Sequence, residues 1–198
     1  MNKLIGTNKT LDEQIKILEQ ILSKNEKLMS LLQILDSDGI KDYYVTAGCI
    51  NQTIFNYYHD KEITFGIKDY DIIYFDKDIT YEKEDIIIKR LTKKIDKLNI
   101  ITDIKNQARV HLWYYEKYGV KREAYKSVED AISRFGTTIT CIGVRLNNNK
   151  LEVCAPYGLN DLFNMIIRPV KIDSTKEMYE ERCARWLNNW PNLNIIKW

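Results

Sequence analysis

Asp69-Tyr70-Asp71-Ile72-Ile73-Tyr74-Phe75-Asp76 reads as a buried β-strand with two carboxylates at its mouth. Asp69 and Asp71 are two apart, so a strand projects both from one face. Ile72, Ile73, Tyr74 and Phe75 then anchor the strand in apolar surroundings. Two like charges side by side repel, and each is costly to hold near a core. A divalent cation relieves both problems, and an all-oxygen donor set favours a hard ion such as Mg²⁺. The alternative is an ordinary strand entrance with solvated acids.

Upstream, Val45-Thr46-Ala47-Gly48-Cys49-Ile50-Asn51 looks like a strand end, a tight turn and a helix start. Gly48 lets the backbone turn sharply and approach a ligand. The helix runs from about Cys49 to Tyr58, with Ile50, Ile54, Phe55 and Tyr58 on its packing face. Its first-turn N–H groups attract phosphate. A turn with no ligand is the plainer reading of a single glycine. A third acid, Asp103, lies in the strand Ile101-Thr102-Asp103-Ile104-Lys105, after a helix from Tyr81 to Leu98. Three carboxylates from two strands suit a phosphoryl or nucleotidyl site with ions ~3.5–4 Å apart. A strand-edge acid is the alternative for Asp103.

Asn106, Gln107, Arg109 and His111 follow in the turn from that strand to a helix bearing Trp113, Tyr114 and Tyr115. The planar fork of Arg109 suits phosphate better than a lysine would. His111 is either a base or substrate contact or a packed or capping side chain, and His59 is read as a helix C-terminal residue with no role. Further on, Tyr157 either stacks on a base or packs in the core, and Asp161 and Arg168 are candidate substrate contacts. Thr138, Thr140 and Arg145 are candidates to approach the site from a hairpin turned at Asn147-Asn148-Asn149. A helix from Asp161 to Ile167 is expected with Asn160 as its cap.

At the N-terminus Thr10 and Glu13 form a capping box. Leu11, Ile15, Leu18, Leu22, Leu28, Leu31, Leu32 and Leu35 give an apolar stripe, broken near Ser23-Lys24-Asn25. This segment, 1–38, is expected to pack beside the sheet, with dimerisation as the alternative. A short helix capped by Ser127 spans Ser127 to Phe135. The last helix, Lys176 to Trp190, carries Tyr179, Cys183, Trp186 and Leu187 on one side, and segment 170–198 is read as C-terminal helix and tail.

With 198 residues and 44% hydrophobic content, the chain supports one domain and a sizeable core rather than disorder. A net charge of +2 gives no long-range argument for a nucleic-acid polymer partner. Cys49, Cys141, Cys154 and Cys183 show no zinc spacing and suggest a reduced, cytoplasmic protein with buried thiols. No apolar run is long enough for a membrane span.

The order Ala47-Gly48-Cys49-Ile50-Asn51-Gln52, Asp69 to Asp76, Asp103 to His111, Ala155 to Phe163 and Arg168-Pro169 resembles the polymerase-β-type nucleotidyltransferase superfamily, and within it a small bacterial nucleotidyltransferase group. The resemblance spans about residues 40–170. It implies an α/β (α+β) fold, a mixed sheet of about five strands flanked by helices. It implies Mg²⁺, with Mn²⁺ as the alternative, held by Asp69, Asp71 and Asp103 as the catalytic acids. It places phosphate at Gly48 and Cys49, and Asn51, Asn106 and Arg109 join them as candidate phosphate contacts. Gln107, His111, Tyr157, Asp161 and Arg168 remain candidate substrate contacts. The activity implied is ATP- or other NTP-dependent nucleotidyl transfer with release of pyrophosphate. A small-molecule acceptor is favoured, with RNA or protein as alternatives. Cys49 stands where the superfamily has a serine, which leaves room for an inactive nucleotide-binding sensor. A phosphohydrolase using the same acids is a third reading.

Overall fold

The computed structural model describes residues 3–198. Helices α1 (Leu11–Leu22) and α2 (Glu26–Asp38) come first. The Thr10 side chain accepts from the Glu13 backbone and Glu13 accepts in return from the Thr10 N–H, closing the capping box. Asn25 caps α2, and Gly39, at φ 77°, ends it in the left-handed conformation that glycine adopts without strain. Strand β1 (Tyr43–Thr46) and helix α3 (Gly48–Tyr58) follow, then β2 (Tyr70–Tyr74), α4 (Tyr81–Ile95) and β3 (Thr102–Asn106). The second half contains α5 (Val110–Tyr118), α6 (Val128–Ser133), β4 (Gly143–Asn147), β5 (Lys150–Cys154), α7 (Asn160–Phe163), β6 (Ile166–Ile167), α8 (Lys176–Asn189) and β7 (Asn194–Ile195).

The main sheet has the order β3-β2-β1-β4-β5. Only β2 and β3 are parallel, joined through α4; the other neighbours are antiparallel. Asn148 and Asn149, at φ 51° and 61°, make the tight β4–β5 turn that Asn tolerates. Strand alternation divides the sheet into two faces. Tyr43, Val45, Ile72, Tyr74 and Ile104 point into the large core formed with α1 to α4. Tyr44 and Ile73 point the other way, into a smaller cluster with Val128 and Ile132 of α6. By the same period-2 rule Thr46, Asp71 and Asp103 stand on the second face.

Helix α3 is buried along most of its length, including Asn51, Thr53 and Asn56. Thr53 and Asn56 are paired, whereas the buried Gln52 Oε1 and Tyr58 hydroxyl have no hydrogen-bond partner among the described residues. Thr53 donates to the Cys49 carbonyl and accepts from the Asn25 amide, while Asn56 donates to the Ile63 and Phe65 carbonyls. Such pairing is what makes a buried amide affordable.

Several sequence expectations are corrected. The stretch from Thr138 is not strand until Gly143, because Thr137 and Thr140 bond to each other and close a turn. The expected helix Asp161–Ile167 stops at Phe163. Met165 turns at φ 56°, and the β-branched pair Ile166–Ile167 zips to Asn194–Ile195 instead. Asn160 does not cap that helix; its Oδ1 accepts from Gln14. Leu11 is 49% exposed, so the N-terminal stripe begins later, and Leu187 lies outside the α8 packing face. No described helix is long and apolar enough to cross a membrane.

Candidate active site

Three adjacent strands set the floor of a cleft of about 600 Å³, within the usual range for small-molecule sites. Thr46 of β1 pairs in register with Asp71 of β2, and Asp71 with Asp103 of β3. Asp69, just before β2, lines the same cleft. Burial first, and then the Asp69 and Asp103 charges, push the Asp71 carboxyl up to about 7, although Lys105 and Arg182 act in the opposite direction. Lys105 stands two residues beyond Asp103 on the same face and forms an ion pair with it.

The turn before α3 is held under strain. Ala47 sits at φ 60°, ψ −129°, a region that non-glycine residues rarely visit. Its carbonyl accepts from the Ile50 N–H at 3.1 Å and from the Asn51 side-chain amide at 2.7 Å, which also donates to the Gly48 carbonyl at 3.0 Å. Asn51 is therefore a positioning residue behind the turn. Cys49 also faces inward: it is fully buried, its Sγ donates to the Thr46 carbonyl, and burial raises its thiol well above the ordinary range. Gly48 itself lines the cleft. A Cβ there would meet only the Gln52 amide nitrogen, at 2.9 Å, the far end of a flexible side chain. Gly48→Ala is expected to fold with a stability change within about 1 kcal/mol. If the first-turn N–H groups take a phosphate, as the resemblance implies, a methyl at Gly48 should lower affinity for the anion about tenfold or more. A titration calorimeter and a thermal melt on the same sample check both halves.

The far wall is α8. Arg182 lines the cleft without a carboxylate partner among the described residues, and burial, then Arg185, lower it below the usual guanidinium range. Such a cation calls for an anion. Arg185 and Lys68 add charge to the same space, and Trp190 closes one end. At the other end stand Trp113, Tyr114 and Tyr118 of α5.

Of the residues singled out by sequence, Gly48, Asp69, Asp71, Asp103 and Gln107 line this cleft. The others do not. Asn106 is buried and spends its side chain on the Asp76 backbone and the Ala108 N–H. Arg109 is taken by Glu84 and the Ile79 carbonyl. His111 lies outside the cleft with a buried, unpartnered Nδ1. Tyr157 is not a core residue: it is 44% exposed, lies outside this cleft, and its hydroxyl donates to the Ser133 carbonyl. Asp161 and Arg168 pair with each other, and Asp161 also accepts from Thr138. Arg145 is held by Glu152, while Thr140 does reach the cleft. Sequence reasoning missed Lys68, Lys105, Arg182 and Arg185. The Asp103–Lys105 spacing was a usable signal for one of them; nothing local marked the α8 arginines.

Oxygen donors on neighbouring strands, with Asp71 burdened by its neighbours' charge, are of the kind a hard divalent ion takes. Among the described residues no three His, Cys, Asp or Glu side chains close on one point, and the Asp103 carboxylate is bound to Lys105.

The family described as Nucleotidyltransferase matches residues 33–195. A solved NMR structure described as revealing a CCA-adding enzyme head domain is similar at 28% identity with a TM-score of 0.74, covering 92% of this chain and 96% of that one. No curated protein matches in sequence.

Proposed function

Because the chain belongs to the nucleotidyltransferase family, we propose that it transfers a nucleoside monophosphate from an NTP to an acceptor hydroxyl or amine. The observation that carries the reading is the pairing of three acids with an unpaired cationic wall across one cleft. Asp69, Asp71 and Asp103 would hold Mg²⁺ or Mn²⁺. When bound, the ion would neutralise the carboxylates and the charge developing on phosphate oxygens. The Gly48 turn offers backbone N–H groups to the triphosphate, and Arg182, Arg185 and Lys68 balance its charge. The acceptor oxygen or nitrogen bonds to the α-phosphorus as the bond to the bridging oxygen breaks. Pyrophosphate leaves, and the acceptor proton passes toward Asp103. Lys105 must give up its hold on that carboxylate for this to occur.

The sensor alternative rested on Cys49 replacing a serine. The buried thiol points away from the cleft, so phosphate contact there falls to backbone groups in any case. The free thiols fit a reducing, cytoplasmic setting.

Thermal melts against ATP, GTP, CTP and UTP, with and without Mg²⁺, test the donor half. A Mg²⁺-dependent rise of ~2.7 kcal/mol is expected at about a hundred times the dissociation constant. Release of labelled pyrophosphate on adding acceptor tests the transfer half. Arg182→Ala should weaken nucleotide binding about 10- to 100-fold while leaving the ligand-free melt nearly unchanged. Unchanged affinity in that variant would remove Arg182 from the phosphate site.

A further inference from the structure

The cleft has two unlike ends, and the strand order says which partner enters from each. Across the sheet the sequence runs from the Gly48 turn at the end of β1, through Asp71 on β2, to Asp103 on β3. Helix α5, with Trp113 and Tyr118, follows β3 on that far side. A nucleotidyl transfer is in line: the nucleophile arrives opposite the leaving group. If pyrophosphate departs at Gly48, the acceptor comes in from the β3–α5 side.

That side is built for a flat, anionic ligand. Tyr118 is 44% exposed and leans against Tyr114 at an interplanar angle of 38°, with ring centroids 4.5 Å apart. Tyr114 is fixed from behind by the Arg122 guanidinium, 3.4 Å over its ring, and Arg122 in turn donates to the Tyr125 hydroxyl and the Asp173 carbonyl. Trp113 lines the cleft with the Lys105 and Lys117 ammonium groups both within 6 Å of its ring centroid. Aromatic rings backed rigidly on one side and flanked by cations are stacking platforms for nucleobases, whatever the base. A neutral sugar would stack on the rings but leave the flanking cations unused, and a protonated acceptor amine would be repelled by them.

Building on the nucleotidyl-transfer reading, we propose that Trp113 and Tyr118 form the acceptor subsite, and that the acceptor is a nucleotide whose base stacks there. Two sources share that chemistry, a free nucleotide and the 3′-terminal residue of an oligonucleotide.

The test is fluorescence anisotropy with 5′-fluorescein hexaribonucleotides of A or U, run with the donor side filled by Mg²⁺ and α,β-methylene-ATP. The parent protein is expected to bind the probe. Tyr118→Ala and Trp113→Ala should each weaken it about tenfold, the loss of one stacked base. Trp113→Phe, which keeps an aromatic face, should stay within about threefold of the parent. Competition by free AMP assigns the free nucleotide as the source; binding that AMP does not compete assigns the oligonucleotide end. Absence of probe binding by the parent overturns the proposal. So does parent-like binding by Tyr118→Ala, a solvent-exposed change that the fold tolerates. Melts with Mg²⁺-ATP run in parallel: if these show no shift while the hexanucleotide binds, the donor reading fails and the stacking subsite stands.

Discussion

Asp71→Asn should abolish nucleotidyl transfer and, at the same time, make the ligand-free protein more stable. The two effects share one cause. In the folded chain the Asp71 carboxyl titrates near 7 instead of near 3.8, chiefly through burial and then through Asp69 and Asp103. The folded state therefore holds a proton that the unfolded state has lost between about pH 4 and pH 7. Stability of the ligand-free protein falls as pH rises through that window and stays low above it. Asparagine carries no charge to desolvate, so the variant should gain roughly 2–4 kcal/mol at pH 8 and little at pH 4. Melts at those two pH values read the difference directly. Equal shifts at both would mean that Asp71 is not the strained acid. Activity should fall about 10³-fold or more, the scale lost when a metal-directed charge is removed from a transition state. In the parent, divalent-ion binding must displace the Asp71 proton, so turnover should decline as pH drops below about 7. A pH–rate profile flat from 6 to 8 would count against that assignment.

Trp190→Ala should be the most damaging change away from the acids. The indole is 1% exposed, packs against Phe55 and Phe65, and donates its Nε1–H to the Asn56 Oδ1 at 2.9 Å. Gly66, at φ 75°, brings its backbone so close that a Cβ would lie 3.1 Å from the ring. Truncation leaves a large cavity and an unpaired buried carbonyl oxygen on Asn56. A loss of about 3–5 kcal/mol follows, on the order of 10 °C in Tm for a chain of this size. Trp190→Phe keeps most of the packing and isolates the hydrogen bond, at about 1–3 kcal/mol. If the phenylalanine variant melts with the parent, the Asn56 bond contributes nothing and the wall is held by packing alone. Since Trp190 also closes the Gly48 end of the cleft, both variants should loosen nucleotide binding beyond their effect on stability.

Much of the fold was legible because local rules were strong. Thr10 with Glu13, Asn25, Gly39 and the Asn148–Asn149 turn each fix an element end within a few residues. Two boundaries were misread where a tertiary partner overrode the local preference. Ile166 and Ile167 look like the end of a helix until Asn194 and Ile195 arrive to pair with them. Thr138 to Ile142 look like strand until Thr137 and Thr140 close on each other.

At the site the same division holds. Period-2 alternation alone puts Asp69 and Asp71 on one face, and Asp103 with Lys105 on another strand's face, because a strand's geometry is local. The sequence by itself therefore determined the acids, the Gly48 turn and the family resemblance. It did not reveal that Arg109, Asn106 and Asp161 are engaged by residues far along the chain, Glu84, Asp76 and Thr138, or that Arg168 pairs with Asp161 seven residues before it. It gave no hint of Arg182, which becomes a cleft residue only when α8 folds against the cleft as its far wall. Whether a polar side chain is spent or available depends on neighbours brought together by folding across long separations, and only the tertiary structure decides that.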